Sequence, residues 1–283
     1  MSTLYVVATP IGNLEDLTPR ARQVLSAAQV IAAEDTRRTG ALLNQAGIGS
    51  GDRQVELIPL HDHNESASTA RVLDHLKSGR EVAVVSDAGT PLISDPGYQL
   101  VRACHEAGIT VVPVAGPSAL AAALSVAGLP TDRFAFEGFL PAKKQGREAR
   151  LAALRNSEVT NVFFEAPHRI LQFVQSVVDI LSAEREMSLC RELTKTFEQI
   201  VTGPAGDLLA QLESGLIPAK GEFVVVLRAS KSSHDALDAD SLLIALLEEL
   251  PPSRAAAVAA KVTSHSKSEL YERAMNLKSS PGD

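Results

Sequence analysis

EVAVVSDAGTPLISDPG, residues 81 to 97, joins the two features that decide the fold. Its first part, Glu81 to Ser86, is an almost unbroken apolar run, the pattern of a strand covered on both faces of a sheet. Its second part opens with a turn rich in glycine and proline, Ser86-Asp87-Ala88-Gly89-Thr90-Pro91, that leaves the strand directly. Two other stretches repeat the arrangement. Leu4 to Ala8 runs into Thr9-Pro10-Ile11-Gly12-Asn13-Leu14, and Thr110 to Val114, again nearly all apolar, runs into Ala115-Gly116-Pro117-Ser118. Val30 to Ala33 and Val55 to Leu60 read as two more strands, with helical patterns between several of the five. This alternation predicts a parallel sheet flanked by helices. In such a sheet ligands bind at the strand ends, where glycine lets the backbone come close and a following helix offers unpaired N–H groups. One turn of this kind is ordinary, but three on one sheet predict a ligand cleft built largely from main chain.

Working outward, this first α/β unit ends near Ala115 and defines a domain over residues 1–115. Strand patterns at Arg133 to Glu137, Asn161 to Glu165, Met187 to Arg191 and Glu222 to Arg228 alternate with helical patterns at Ser118 to Ala127, Arg147 to Asn156 and Arg169 to Leu181. They predict a second α/β domain over residues 116–229 that completes the cleft. Residues 229–238 mix Ser, Lys, Asp and His without periodicity and read as a linker. Beyond it, Ser241 to Leu250, Ser253 to Val262 and Ser268 to Leu277 predict three short helices in a small domain over residues 239–283. The last two helices fit a helix-turn-helix or the closure of a small bundle, and the bundle is the favoured reading. A chain of 283 residues is long enough for two such cores and an appendage.

Composition narrows the function. With 45% hydrophobic and 22% charged residues the chain can bury a sizeable core, while 4% aromatics and no Trp argue against platforms for stacking single-stranded bases. A net charge of -7 argues against nucleic acid, so an RNA partner requires a local basic patch. Cys104 and Cys190 lie far apart and neither belongs to a C-x-x-C pair, which speaks against a disulfide framework and a thiolate zinc site. The expected location is the cytoplasm, because no basic segment precedes Leu4 to Ala8 and no apolar run is long enough to span a bilayer. None of the turns ends in Gly-Lys-Ser/Thr, and Gly12 lacks the companion glycines of G-x-G-x-x-G, so nucleoside triphosphate and NAD readings lose ground. His61-Asp62-His63 places two histidines on one strand face, yet no third ligand stands at telling spacing, and a polar loop at the cleft mouth is the preferred reading. No metal is expected.

Six strings in order, ATPIGNLEDLTPRA (8–21), AAEDTRR (32–38), SDAGTPLISDPG (86–97), FFEAPHR (163–169), RELTKTFE (191–198) and KGEFVVVL (220–227), closely resemble the bacterial 16S ribosomal RNA ribose 2′-O-methyltransferases that modify a decoding-centre cytidine. These form a branch of the tetrapyrrole (corrin/porphyrin) methylase superfamily. The resemblance implies a bilobal, homodimeric enzyme that uses S-adenosylmethionine and acts on 16S rRNA in the small ribosomal subunit. It implies donor binding by Ile11 in the first turn, by Asp87, Gly89 and Thr90 in the second, and by Ser118 and Ala119 in the third, with Ala166 and Gly221 contributing from the second domain. The superfamily's usual first loop is G-x-G-x-G-D, and Thr9-x-Ile11-Gly12-x-Leu14 departs from it, which points that loop toward the RNA.

For such a transfer the enzyme must chiefly align a ribose oxygen, a methyl carbon and a sulfur. Positioning supplies roughly 7 to 11 kcal/mol of the barrier, and a general base about 10²-fold to 10⁴-fold in rate. Candidates for the base stand on strand ends: Glu34, Asp35, Asp87, Glu165 with His168, and Glu222. Glu165 is the first choice, although each of them also fits an ion pair or a helix cap. The RNA-binding candidates are Arg37 and Arg38 after a strand end, the cluster Lys143, Lys144 and Arg147, and Arg169, Arg191 and Lys195 in the resembling motifs. Two other functions compete with this reading. One is a corrinoid or porphyrin precursor methyltransferase, and the other is a non-catalytic ribosome-binding factor that would use the helical tail as its reading head.

Overall fold

The computed structural model describes residues 2–49, 55–61, 63–230, 239–263 and 265–279. Five parallel strands, β1 (Thr3–Val7), β2 (Val30–Ala33), β3 (Glu56–Pro59), β4 (Val82–Val85) and β5 (Thr110–Val114), form one sheet in the order β3-β2-β4-β1-β5. Side chains alternate between its faces. Ile31 and Ala33 join one apolar cluster with Val7, Leu25 and Leu43, while Val30 and Ala32 join the other with Leu4, Val72 and Leu100. Four helices cover these faces: α1 (Pro19–Ala27), α2 (Thr36–Gln45), α3 (Glu65–Lys77) and α4 (Tyr98–Glu106). Helix α1 starts where the sequence dictates, because the Thr18 side chain accepts from the Ala21 N–H and Pro19 occupies the first turn.

The two strands read as covered on both faces behave differently. All of β4 is buried, whereas β5 lies at the sheet edge with Thr110 and Pro113 exposed. Pro113 has no N–H to give a neighbouring strand, so an edge suits it.

The second sheet, β6 (Phe134–Phe139), β7 (Thr160–Glu165), β8 (Glu186–Arg191), β9 (Gln199–Pro204) and β10 (Phe223–Leu227), runs in the order β6-β7-β10-β8-β9. Only the β6–β7 pair is parallel. Helices α6 (Lys144–Ala153), α7 (Ile170–Ile180) and α8 (Ala205–Glu213) pack on one face around Phe163, Phe173 and Leu208. The other face holds Val162, Cys190, Val224 and Val226, covered by α5 (Ala119–Val126) and by Ile11 from the first turn. One apolar side chain of the first domain is thereby sunk into the core of the second.

Three helices close the described chain: α9 (Ala239–Glu249), α10 (Pro252–Ala259) and α11 (Lys267–Ser279). Each packs on the other two around Leu243, Ala255, Ala256, Ala259, Leu270 and Ala274. Residues 231–238 of the expected linker lie outside the described residues. Among the described residues, no helix is long and apolar enough to cross a membrane.

Candidate active site

The ends of β1, β4 and β5 meet at one place, and hydrogen bonds tie their turns together. The Thr9 N–H donates to the Gly89 carbonyl at 2.8 Å and the Gly89 N–H donates back to Thr9 at 3.0 Å. Thr90 Oγ1 then donates to the Pro117 carbonyl at 3.0 Å, joining the second turn to the third. Gly89 has φ +84°, and a Cβ there would stand 3.2 Å from Ile11 Cγ2, so glycine meets both the backbone and the packing demand. In the same loop Leu92 and Ser94 hold φ values of 70° and 67°. Left-handed backbone at non-glycine residues is sparsely populated and concentrates at ligand sites.

The second domain supplies the opposite wall. The two domains approach closely at two glycines. A Cβ on Gly12 would lie 2.3 Å from Lys195 Cγ and 3.0 Å from Thr194 Oγ1, and one on Gly138, beside an irregularity in β6, would lie 3.3 Å from Ser94 Oγ. Between the domains is a cleft of about 480 Å³. That volume falls within the range of small-molecule sites, about 300 to 1,000 Å³.

Ile11, Asp87, Gly89, Thr90, Ser118, Ala119 and Ala166 all line this cleft, together with Glu165, Arg38 and Lys195. Asp87 is held from two sides: the Asp35 N–H donates to its Oδ1 at 3.0 Å, and Arg38 Nη1 lies 3.0 Å from its Oδ2. Ser118 sits at the N-cap position of α5, yet its side chain makes no capping hydrogen bond. The cap position read from the sequence is therefore correct, and its hydroxyl is left for the cleft. Gly221 is not among the lining residues. It has φ +80°, and a Cβ there would lie 2.3 Å from Glu192 Cδ, so it serves the turn that holds Glu192.

Glu165 ends β7, with only 2% of the residue exposed. Its Oε1 accepts from the Ala166 N–H at 2.9 Å and lies 3.2 Å from Arg169 Nε, without hydrogen-bond alignment to the latter. Its Oε2 has no hydrogen-bond partner. Burial pushes the carboxyl above the usual range, against the opposing pull of the Ala166 N–H and Arg169. Of the other base candidates, Glu34, Asp87 and Glu222 line the cleft, while Asp35 and His168 do not. Asp35 caps α2 and pairs with Arg37, whose guanidinium holds the carboxyl far below its ordinary value.

The proposed basic face divides. Arg37, Lys143 and Lys144 are exposed, and Lys144 reaches Glu148 at 3.6 Å. Arg147 is corrected: it is 4% exposed, with Nε donating to Ser176 Oγ at 3.0 Å and Nη1 to the Ala142 carbonyl at 3.3 Å. Arg191 is likewise an internal brace, donating to the carbonyls of Lys220 at 2.6 Å and Phe197 at 2.8 Å. Arg169 donates to the Leu140 carbonyl and faces Glu165, with 18% of its side chain exposed. In all three the charge is engaged inside the fold, which sequence spacing does not reveal. Asp62, in the middle of the His-Asp-His string, lies outside the described residues, and among the described residues no three His, Cys, Asp or Glu side chains form a group able to hold a metal.

Two features escaped the sequence reading. Phe139 and Phe164 line the cleft and pack edge to face with centroids 5.8 Å apart, although the FFEAPHR string carries the second of them. The Gly12 contact with Lys195 joins residues that are remote in sequence, and only the lone glycine hinted at a close approach.

The chain matches the family described as Tetrapyrrole (Corrin/Porphyrin) Methylases over residues 3–209, and the family described as RsmI C-terminal HTH domain over residues 233–278. The three-helix core of the tail is compatible with that second description, since a helix-turn-helix is commonly closed by a third helix. The chain is 49% identical over 274 residues to the "Ribosomal RNA small subunit methyltransferase I" of Escherichia coli O157:H7, covering 96% of this chain and 94% of that one. It is 46% identical over 277 residues to the protein of the same name from Pseudomonas aeruginosa, covering 96% of each. Among solved structures, a uroporphyrin-III-C-methyltransferase from Thermus thermophilus superposes with a TM-score of 0.56 at 23% identity, covering 81% of this chain and 94% of that one. The methyltransferase CobJ superposes with a TM-score of 0.59 at 19% identity, covering 81% and 95%. These two likenesses concern the fold.

Proposed function

The chain belongs to the tetrapyrrole (corrin/porphyrin) methylases, in the branch of the ribosomal RNA small subunit methyltransferase I proteins, and from that membership we propose that it methylates the ribose 2′-hydroxyl of a decoding-centre cytidine in 16S rRNA. The observation that carries the proposal is a cleft of small-molecule size, lined by three glycine- and proline-rich strand ends and, from the second domain, by residues that include a buried glutamate with one unpartnered oxygen. Membership in a methylase family makes the chain a methyltransferase, and the RNA substrate follows from the names of the relatives. We extend the reading to action within the small subunit and to a homodimeric, cytoplasmic enzyme.

The cleft fits S-adenosylmethionine. Gly89 leaves room where a Cβ would crowd Ile11, the uncapped start of α5 presents main-chain N–H groups and the Ser118 hydroxyl, and Phe139, Phe164 and Val224 give an apolar wall for a nucleoside. When bound, S-adenosylmethionine supplies a methyl group made electrophilic by the sulfonium.

The protein's own residues do the rest. Thr9, Gly89, Thr90 and Pro117 tie the strand-end turns into one floor, which sets the groups that orient the reactants in place before reaction. Asp87, fixed by Arg38 and the Asp35 N–H, presents a carboxylate to donor hydroxyl or amino groups. Glu165, which lines the cleft, accepts the ribose proton, and burial favours its taking that proton. The exposed cations Arg37, Arg38, Lys143 and Lys144 engage phosphates.

Tritium transfer from labelled donor distinguishes this from the superfamily alternative. Label entering 16S rRNA of small subunits from cells lacking the protein, at a ribose, is the expected outcome. Label entering a tetrapyrrole precursor instead would replace the proposal with macrocycle methylation.

A further inference from the structure

Lys195 lines the donor cleft and also a second, open recess whose walls are Asn13 and Leu14 of the first domain and Thr196 and Phe197 of the second. The loop that carries Phe197 is held rigidly. The Lys195 N–H donates to the Glu192 carbonyl at 3.0 Å, the Glu198 N–H to the Lys195 carbonyl at 3.0 Å, and the Thr194 N–H to Glu198 Oε2 at 2.6 Å. Glu192 and Thr194 both sit at positive φ, 50° and 65°, and the buried Thr194 hydroxyl has no partner. Strain of this kind needs support from its surroundings, which the Gly12 contact provides. On this braced loop the Phe197 ring is 71% exposed, the most exposed large apolar side chain among the described residues. In a chain so poor in aromatics, a ring standing in water on a braced loop beside the donor cleft is notable.

The charge around Lys195 says what the ring faces. Its ammonium contacts Glu192 Oε1 at 2.8 Å and Glu222 Oε2 at 3.0 Å, so these three side chains carry a net negative charge. Such a group disfavours a phosphate and suits a flat, uncharged partner that bears amino hydrogens. We propose that this recess holds a nucleobase of the RNA substrate, stacked on Phe197, from a nucleotide neighbouring the ribose that enters the donor cleft. Lys195 stands between the two, and its partner Glu192, which also lines the recess, is placed to accept from the amino edge of that base. The inference rests on the RNA reading given above. It adds a subsite that fixes which nucleotide reaches the methyl group.

The test compares Phe197→Ala, Phe197→Leu and Phe197→Trp with the unaltered chain, using small subunits from cells lacking the protein as substrate. The ring is exposed, and the Phe197 carbonyl that braces Arg191 is kept in every variant. Stacking on an aromatic ring corresponds to about a 5-fold to 150-fold change in affinity. The Ala and Leu variants are expected to raise the KM for subunits by that factor with unchanged calorimetric affinity for S-adenosylmethionine, and Trp is expected to restore it. Methyl transfer by the unaltered chain together with an unchanged KM in Phe197→Ala would overturn the subsite and leave the RNA reading intact. Rescue by Leu as well as by Trp would overturn stacking. A change of sedimentation coefficient in Phe197→Ala would assign the ring to contact with a second copy and also overturn the proposal. No transfer to subunits by the unaltered chain would instead refute the reading on which the inference rests.

Discussion

Glu165 Oε1 lies 3.2 Å from Arg169 Nε, while the other oxygen of the same buried carboxylate has no hydrogen-bond partner. A carboxylate satisfied on both sides would be a structural ion pair. Half-satisfied, on a residue that lines the cleft, it is a group with capacity to take a proton, and the desolvation that raises its affinity for one also weakens the fold when it ionises.

The sign of that linkage gives the first prediction. Above the ordinary carboxylate range the unfolded chain has lost its Glu165 proton while the folded chain still holds it, so stability falls as pH rises through that window and levels off above the raised value. Glu165→Gln removes this contribution. Urea denaturation across a pH series is expected to show the wild type losing ground to the variant as pH rises, and parallel curves would contradict it. Methyl transfer in the variant is expected to drop by about 10²-fold to 10⁴-fold with donor affinity kept.

Ser118→Ala separates a ligand contact from a helix cap. A working N-cap serine is worth about 0.5 to 2 kcal/mol. Because the Ser118 side chain makes no capping bond, the alanine variant is expected to keep wild-type stability and to lose affinity for S-adenosylmethionine. A stability loss of full cap size with unchanged affinity would reverse the assignment.

Arg147 and its neighbours Lys143 and Lys144 are expected to respond in opposite ways. Arg147→Ala removes a buried hydrogen-bonding group and is expected to lower stability by about 1 to 3 kcal/mol. Replacing Lys143 and Lys144 together by Gln is expected to leave stability alone, weaken RNA binding and flatten the salt dependence of log affinity by about one to two units. An unchanged salt titration removes the two lysines from the RNA surface.

A substitution at Gly12 tests the close approach of the domains, and one at Gly40 is its control away from that contact. Gly12→Ala forces a methyl group against Lys195, at a cost of about 1 to 3 kcal/mol for overpacking, and the accompanying shift of the cleft walls is expected to slow methyl transfer. Gly40 lies inside α2 without positive φ and with nothing near its Cβ position, so Gly40→Ala is expected to stabilise by about 0.4 to 1 kcal/mol without affecting activity. Denaturation midpoints and single-turnover rates decide both.

How far the sequence carried the fold depends on the kind of signal. The first sheet was legible because its strands are apolar and its turns are written in Gly and Pro, and the strand ends of β1, β4 and β5 meet as expected. β9 and α8 were missed. Gln199–Pro204 is a half-exposed edge strand that ends in Gly203-Pro204, so its pattern reads as a loop. The edge position of β5 was also invisible, since strand order is set by long-range pairing and Pro113 alone hinted at it. At the site, residues on strand-end turns came together, whereas the roles of Gly221 and of the buried arginines depend on neighbours 20 or more residues away. Charge read along the chain counts cations but does not tell which of them reach solvent.

The strand-end cleft is the proposed seat of the methyl donor. Titrating S-adenosylmethionine and its demethylated product into the folded protein, followed by calorimetry, tests this most directly, with Asp87→Asn alongside. One donor site per chain, weakened in Asp87→Asn and unaffected by replacing Lys143 and Lys144, is the predicted result. Absence of binding heat from folded protein across the range of both nucleosides and at more than one temperature, or equal affinity in Asp87→Asn, would contradict it.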